Sequence, residues 1–332
     1  MQPTSQFPFV HLSTELVLLI LRYASRPTFF KTHKNPYSSA LSLCRVSKII
    51  RRTVLPEILH TVLLSEYHNM TAFVHALRLQ NTYAQQGNHL HFNYAAHIRK
   101  IWFGQICEPP PQAPMRRNFA LYAQSESDID FSLLAPVLLS APSLALDFGS
   151  LWLLYGCIES VWNSHVAMNI DHEHFPPWST KSLTLVGDLI RWHPLTSSAE
   201  GSAFLASISR LTFLSPTTFD DLEPQSHLLP EWMASVPWAS FKSLRTVSLV
   251  LPRIVITGAA RTCISEENVD VELLTLSTPS MSSPWRHKSI NAYTESGEGH
   301  VLSVDVRTKS EDLRMQFNVS YDWEEAWACG LL

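Results

Sequence analysis

Glycine and charged residues are both scarce in this chain. Of its 332 residues, 10 are glycine, and charged residues make up 16%. A phosphate-binding loop needs glycine because the backbone must come close to the phosphate. The P-loop and dinucleotide-binding motifs do not occur, and neither do the G-x-S-x-G and H-E-x-x-H motifs of hydrolases. These absences argue against the common motif-based routes to nucleotide binding and hydrolysis.

Cysteine is also scarce, and its few positions are scattered. The five cysteines are an odd set without a C-x-x-C pair. Such a set is typical of reduced thiols in a cytoplasmic or nuclear protein rather than of a disulfide framework. No basic segment precedes the first apolar run, residues 16–21, which is far shorter than a membrane span. We therefore expect neither a signal peptide nor a transmembrane segment.

The charges that are present nearly balance. There are 25 basic and 29 acidic residues, which gives a formal net charge of −4. Binding to nucleic acid or to anionic membranes depends on clustered lysine and arginine, so we expect neither partner. Hydrophobic residues make up 45% of the chain, which is enough for a large buried core.

The N-terminal region predicts a helix that is apolar on two sides. Ser13 suits the N-cap, and Glu15 in the first turn interacts favourably with the helix dipole. Val17, Leu18 and Leu21 make one side apolar. The other side consists of Leu12, Leu16, Leu19, Ile20 and Tyr23, at the spacing of a helix face. A helix of this kind is either buried in a core or covered by a partner.

A second helix is predicted from Ser38 through Ile50, after a loop over residues 25–37. Its basic residues form one stripe, which consists of Arg45, Lys48, Arg51 and Arg52. The stripe is either an ordinary solvated face or a surface for an acidic partner. Pro56 predicts the end of the helix, because proline disfavours helical geometry at the residue before it.

Strand-like and helix-like segments alternate in the rest of the chain. A short strand is predicted at residues 60–65, and Asn69 is predicted to cap a helix. That helix has one apolar face, formed by Met70, Phe73, Val74 and Leu77. Further strands are predicted at residues 98–103, 144–148, 183–185, 211–213, 244–251, 271–276 and 302–306. Helices are predicted at residues 131–139, 151–161, 204–208, 229–236 and 322–332, and long loops at 108–114 and 277–288.

This alternation around an L-x-L core is typical of leucine-rich solenoids, in which each repeat is one strand and one helix. The strand cores lie about 25 to 40 residues apart, which is longer and less regular than a well-formed leucine-rich repeat. We therefore predict an irregular, leucine-rich-like array.

Two N-terminal segments resemble an F-box. They read HLSTELVLLILRYA at residues 11–24 and LSLCRVSKIIRR at residues 41–52. The family opens with L-P-x-E-L and continues into a second helix that reads roughly L-x-x-V-S-K-x-W-R. The segments are similar to a large fungal group of F-box-like proteins, which typically carry an irregular leucine-rich-like C-terminal region.

The predicted fold class is α/β, with an N-terminal all-α F-box module followed by an irregular leucine-rich-repeat-like strand–helix array. Residues 1–10 are a lead-in, 11–65 the adaptor-docking module and 66–332 the substrate-binding domain.

The resemblance implies a substrate-recognition subunit of a Skp–cullin–F-box ubiquitin ligase. Such a subunit binds the Skp adaptor, and through it a cullin and a RING subunit, and it also binds a protein substrate. It has no catalytic residues and no cofactor. The anchors on the adaptor would be Leu12, Leu16 and Ile20 from the first helix and Leu43, Val46 and Ile50 from the second. Arg45 and Lys48 would suit an adaptor that is acidic, as Skp proteins generally are.

Tryptophans outside the periodic pattern are the candidates for substrate binding. Trp178, Trp192 and Trp285 lie in predicted loops, and tryptophan is enriched at binding hot spots. The alternative is that these rings fill gaps in an irregular core.

Two other classes of function stay open. Ser13 stands where the F-box family usually has proline and Ile50 where it often has tryptophan, which favours a leucine-rich-like scaffold whose F-box is vestigial. A metal-dependent hydrolase would use paired histidines, with imidazole and carboxylate as ligands. The candidate ligands are His89, His91, His172, His174, Asp171 and Glu173, although the histidine pairs can equally be polar loop residues.

Overall fold

The computed structural model describes residues 12–27, 29, 35–104, 129–168, 176–187, 192–214, 235–251, 260–261, 270–275, 287–293, 299–308 and 323–328. It is a mixed α/β structure that begins with a helical region and continues as a largely parallel sheet.

Three short helices that contact one another form the N-terminal region. They are α1 (Thr14–Ser25), α2 (Ser38–Cys44) and α3 (Lys48–His60). The predicted N-cap of α1 is confirmed, because the Ser13 hydroxyl accepts a hydrogen bond from the Leu16 N–H at 3.4 Å. At the start of α3, the Ser47 hydroxyl accepts in the same way from the Ile50 N–H at 3.2 Å.

Two predictions about the second helix are wrong. The predicted continuous helix is broken between α2 and α3, because Ser47 has an extended backbone (φ −158°, ψ 165°) and acts as a new N-cap. Pro56 does not end α3, which continues through it to His60. Proline removes one helical hydrogen bond. Val54 and Leu59 on either side are buried, and their packing outweighs that loss.

The sheet begins directly at the end of α3, with β1 (Thr61–Leu64), which the sequence predicted. The predicted boundary after residue 65 therefore lies between β1 and the next helix, α4 (Tyr67–Gln85). Helix α4 has Glu66 as its N-cap, so the prediction that Asn69 caps it is wrong. The predicted inner face is confirmed, since Met70, Val74 and Leu77 are buried and Phe73 packs against the core.

Ten strands of the described residues form one sheet. The strands after β1 are β2 (Lys100–Phe103), β3 (Ser143–Asp147), β4 (Ser182–Val186), β5 (Arg210–Leu214), β6 (Thr246–Leu251), β7 (Ala260–Arg261), β8 (Asp270–Thr275), β9 (His287–Tyr293) and β10 (Gly299–Thr308). Strands β1 to β6 lie side by side in chain order, and each is parallel to the next. All seven strands predicted beyond residue 96 are confirmed, whereas β7 and β9 were not predicted.

The far side of the sheet departs from chain order. Strands β8 and β10 continue the parallel series from β6, β9 is antiparallel to β10, and β7 pairs with β9. Residues 287 and 288, which were predicted as the end of a loop, begin β9. The rest of that loop and the whole loop predicted at residues 108–114 lie outside the described residues.

Helices connect the parallel strands. They are α4 together with α5 (Tyr94–His97), α6 (Phe131–Ser140), α7 (Leu151–Met168), α8 (His193–Thr196) and α9 (Ala199–Ser207). Helix α10 (Trp323–Ala328) follows β10 instead. The predicted helices at 131–139, 151–161 and 204–208 correspond to α6, α7 and α9. The predicted helix at 322–332 is confirmed over residues 323–328 by α10, and its other residues lie outside the described ones. The helix predicted at 229–236 lies mostly outside the described residues.

The main core lies between one face of the sheet and the helices. In β2 to β5, the second and fourth positions point to this side and are fully buried. These residues are Ile101, Phe103, Leu144, Leu146, Leu183, Leu185, Leu211 and Phe213. The L-x-L pattern in the sequence therefore marks side chains that the helices cover.

The opposite face of the first strands carries a smaller cluster that includes α10. Trp102 of β2 and Trp327 of α10 have ring centroids 5.6 Å apart, and the Lys100 ammonium lies 5.3 Å from the Trp327 ring. The Ser65 hydroxyl, just after β1, donates a hydrogen bond to the Glu324 carboxylate. Helix α10 is thus packed on the first strands of the sheet.

Gly104 provides a test of how closely the first loops pack. A Cβ at this position would lie 2.3 Å from the Ser65 carbonyl oxygen, which is main chain and cannot turn aside. We expect Gly104→Ala to cost about 1–3 kcal/mol of unfolding free energy, as overpacking does. Chemical denaturation of the purified chain measures this loss.

Gly149 is the control, because it too is a glycine close to the end of a parallel strand, two residues after β3. Its Cβ would meet only the Asp147 carboxylate, at 3.2 Å. A side chain can move, so Gly149→Ala should change stability by less than about 0.5 kcal/mol. Equal losses in the two variants would contradict the close approach at Gly104.

Candidate docking site

Exposed apolar side chains are concentrated in the N-terminal helices. Most of the large hydrophobic residues that are exposed within the described ranges belong to α1, α2, α3 and the turn between the last two. These residues, which we call the docking patch, are Leu16, Leu19, Ile20, Tyr23, Leu41, Val46 and Ile49. Outside the patch, the described exposed set includes Tyr67 and Leu79 of α4.

Helix α1 has one inward and one outward apolar face, as its sequence predicted. Val17, Leu18 and Leu21 are half-buried, and α1 contacts both α2 and α3. The outward face carries the four patch residues of this helix, of which Tyr23 is 74% exposed. Their spacing of i, i+3, i+4 and i+7 places them on one side of the helix. The packing of the N-terminal helices therefore uses only half of the apolar surface of α1.

The predicted anchors are divided between exposed and half-buried positions. Leu16, Ile20 and Val46 are exposed. Leu12, Leu43 and Ile50 are half-buried, so only part of each side chain is open to a partner.

Four patch residues were not among the predicted anchors: Leu19, Tyr23, Leu41 and Ile49. The first two were recognisable as part of the apolar face of α1. Ile49 is 70% exposed. A new helix, α3, begins at Lys48, so the side chains after it point in other directions than they would in the predicted continuous helix. The sequence signal for this break was Ser47, a good N-cap residue.

Basic side chains lie beside the patch. Arg45 and Lys48 are exposed, and no carboxylate of the described residues forms an ion pair with either of them. By contrast, Arg26 at the end of α1 lies 3.9 Å from the Glu57 carboxylate. The turn between α2 and α3 therefore combines exposed apolar residues with unneutralised positive charge.

The histidine pair His89 and His91 lies in the loop between α4 and α5, and both side chains are exposed. They are not on a strand, so the face-sharing geometry expected for a metal site is absent at this pair. Among the residues that the structure describes, no group of three histidine, cysteine or acidic side chains could hold a metal ion. The second pair, His172 and His174, lies outside the described residues together with Asp171 and Glu173.

Trp178 and Trp192 both lie in the main core, and each is 6% exposed. The Trp178 indole N–H donates to the Ser207 hydroxyl at 3.0 Å, and its ring stacks on Trp162 with the centroids 5.8 Å apart. Trp192 packs edge-on against Phe241 at 5.6 Å. This burial favours the core-filling alternative for both rings. The third candidate, Trp285, lies outside the described residues.

Two of the cysteines fall within the described residues, and both are free thiols. Burial raises the pKa of the Cys157 thiol, and it also raises that of Cys44, against a smaller lowering by the Arg51 guanidinium. Neither thiol is therefore activated as a nucleophile.

Comparisons with protein families, with curated proteins and with solved structures found no match to this chain. Within the described residues, every helix is too short or too polar to cross a membrane.

Replacing Trp178 tests whether this ring belongs to the core. We expect Trp178→Ala to lower the free energy of unfolding by about 3–5 kcal/mol, because it removes a buried ring and leaves a cavity. The exposed Tyr23 is the control, and Tyr23→Ala should change stability by less than about 0.5 kcal/mol. Denaturant titrations of both variants measure this difference. A Trp178→Ala protein as stable as the parent would instead point to a ring that serves a partner.

Proposed function

We propose that this chain is the substrate-recognition subunit of a Skp–cullin–F-box ubiquitin ligase. In this proposal, the N-terminal helices bind the Skp adaptor and the sheet domain binds a protein substrate. The observation that carries the proposal is the docking patch on α1 to α3, which coincides with the segments that resemble an F-box.

The patch supplies a driving force for association. Burying a leucine or isoleucine side chain contributes roughly 1.5–3 kcal/mol, so covering even part of the patch favours binding substantially. Leu16, Leu19, Ile20 and Tyr23 have the spacing with which a helix lays its apolar face into a groove. A docking role explains why a short helix is apolar on the side that its own fold leaves open.

The charges around the patch support an acidic partner. Arg45 and Lys48 lie beside the exposed Val46 and Ile49, and no described carboxylate neutralises them. An acidic surface on the adaptor would accelerate association with this basic turn. Skp proteins generally have such a surface, which the resemblance implies for the partner of this chain.

The two departures from the family pattern are compatible with the proposal. Ser13 caps α1, so the helix is anchored at its start without the usual proline. Ile50 is half-buried and keeps an apolar side chain where the family often has tryptophan. The alternative of a scaffold with a vestigial F-box rests on these same residues, and it predicts a folded chain that does not bind the adaptor.

The C-terminal region is proposed to be an irregular leucine-rich-repeat-like array that binds the substrate. Its parallel strands follow one another in chain order, and their L-x-L residues are buried against helices. The spacing of equivalent strand residues varies, since Lys100 to Ser143 is much longer than Thr246 to Asp270. Such variation is the reason for calling the array irregular.

Adaptor binding by the full-length chain is the direct test of the proposal. The full chain is needed because β1, which continues from α3, is a strand of the sheet. We expect the purified chain to co-purify with the Skp adaptor, and Leu16→Asp or Ile20→Asp to abolish this binding. A carboxylate placed in a desolvated contact costs several kcal/mol, which corresponds to at least about a hundredfold in affinity.

Leu79→Asp on α4 is the matched control, because Leu79 is 39% exposed and Ile20 is 38% exposed. All three aspartate variants should keep the melting temperature of the parent chain, since each changes an exposed residue. If the parent chain does not bind, or if all variants bind equally, the adaptor-docking proposal is wrong. A parent chain that is folded but does not bind the adaptor would favour the alternative of a scaffold with a vestigial F-box.

The basic turn makes a separate, kinetic prediction. We expect Arg45→Glu with Lys48→Glu to slow association with the adaptor about tenfold or more at low salt, and to reduce the salt dependence of the rate. Stopped-flow or surface-based kinetics at two salt concentrations measure this effect. Lys242→Glu with Arg245→Glu changes the net charge equally at other exposed positions and is the control. Equal slowing in both double variants would mean that only net charge matters.

A further inference from the structure

Exposed cations recur at one level of the parallel sheet. The strand register pairs the first residues of β2 to β6 with one another. The residues one position earlier therefore form a row along the edge at which these strands begin, and in strand order they are Arg99, Pro142, Lys181, Ser209 and Arg245. Every second residue of the row is basic, and all three basic residues are exposed. We call Arg99, Lys181 and Arg245 the basic band.

Backbone hydrogen bonds fix the positions of this row. The Lys181 N–H donates to the Pro142 carbonyl at 2.9 Å, and the Ser209 N–H donates to the Lys181 carbonyl at 2.9 Å. The Arg245 N–H donates in turn to the Ser209 carbonyl at 2.8 Å. Neighbouring strands lie about 4.8 Å apart, so the backbone positions of successive cations, two strands apart, are separated by about 10 Å. The sheet itself therefore sets the spacing of the basic band.

The charges of the basic band are not neutralised by the described part of the chain. No carboxylate there forms an ion pair with any of its three residues. The Lys181 ammonium lies 3.5 Å from the Ser207 carbonyl at the end of α9, which occupies one of its three N–H donors. Next to the Arg99 end, burial and then the charges of Lys100 and Arg99 lower the pKa of His60, although a nearby carboxylate acts in the opposite direction. The edge therefore presents positive charge that an acidic partner could neutralise.

The spacing of the cations distinguishes between classes of acidic partner. DNA carries a negative charge about every 3.4 Å along each strand, which is about three times denser than the cations of the band. The net charge of −4 of the whole chain also repels a polyanion at long range. An extended polypeptide in the polyproline II conformation has three residues per turn and rises about 3.1 Å per residue. Carboxylates at every third residue of such a segment lie on one side, about 9 Å apart, which matches the band.

We infer that the basic band is a docking surface for an extended acidic polypeptide segment whose carboxylates are spaced along its length. The inference deepens the proposed function, because it names the class of substrate segment, and the identity of the segment as part of a substrate rests on that function. About seven residues of extended chain reach from Arg99 to Arg245, since four strand spacings amount to about 19 Å. The band lies on the sheet domain and not on the helices of the docking patch.

Fluorescence anisotropy of the full chain with labelled probes tests the inference. The acidic probe is a peptide of four Glu-Pro-Pro repeats, in which proline favours the extended conformation and glutamate recurs at every third residue. Its neutral analogue has glutamine in place of glutamate, and a block analogue of the same composition has its four glutamates together. At low salt, we expect the acidic probe to bind at least about tenfold more tightly than the neutral analogue and at least about threefold more tightly than the block analogue.

A pair of double variants assigns the binding to the band. Lys181→Ala with Arg245→Ala should weaken binding of the acidic probe at least about fivefold, because two of the three cations are removed. Arg22→Ala with Arg78→Ala is the matched control, since it removes two exposed cations from α1 and α4, and it should leave the affinity unchanged. Melting temperatures verify that both variants are folded.

Equal binding of the acidic and neutral probes would overturn the inference, and so would equal binding of the acidic probe and the block analogue. Equal weakening in the two double variants would mean that only the net charge of the chain matters, which also overturns it. A labelled twelve-residue oligothymidylate that binds more tightly than the acidic probe would indicate a nucleic-acid surface instead. The adaptor takes part in none of these measurements, so failure here is distinguishable from failure of the docking proposal.

Discussion

The register of the parallel strands is the constraint on which the rest of the structure depends. Val62, Ile101, Leu144, Leu183 and Leu211 occupy equivalent positions, and the residues two further along repeat the pattern. A shift of one residue in any strand would turn its buried pair away from the helices and expose it. Because every strand keeps the same register, one continuous core extends from α4 to α9, and the loops and helix ends are positioned by it.

Much of this arrangement could be predicted because its signals are local. The L-x-L pairs indicated the strands, and Ser13 indicated the start of α1. The break at Ser47 was missed because the apolar and basic residues continue in nearly helical phase across it, and only the backbone geometry separates α2 from α3. The continuation of α3 through Pro56 was missed because proline is a strong local signal for the end of a helix. Here the burial of neighbouring residues outweighs that signal.

Contacts between distant segments account for what the sequence did not indicate. Burial of Trp178 and Trp192 depends on helices and strands that come together only in the folded chain. The hydrogen bond from the Arg52 guanidinium to the His89 carbonyl likewise joins α3 to the loop between α4 and α5. The docking patch was partly predictable, because the sequence shows that α1 has apolar residues on two faces. Which of these two faces is exposed depends on how α2 and α3 pack against α1, and the sequence does not indicate that.

The contact between α10 and the first strands affects the order in which packing contacts can form while the chain is being synthesised. Trp102 is synthesised well before Trp327, which packs on it in the folded chain. Until then, one face of β2 lacks a partner ring, and the Ser65 hydroxyl lacks the Glu324 carboxylate. Each new strand extends the sheet locally during synthesis, but the starting edge reaches its final packing only once α10 has been made. Loss of α10 would therefore disturb the packing of β1 and β2, which lie far from it in sequence.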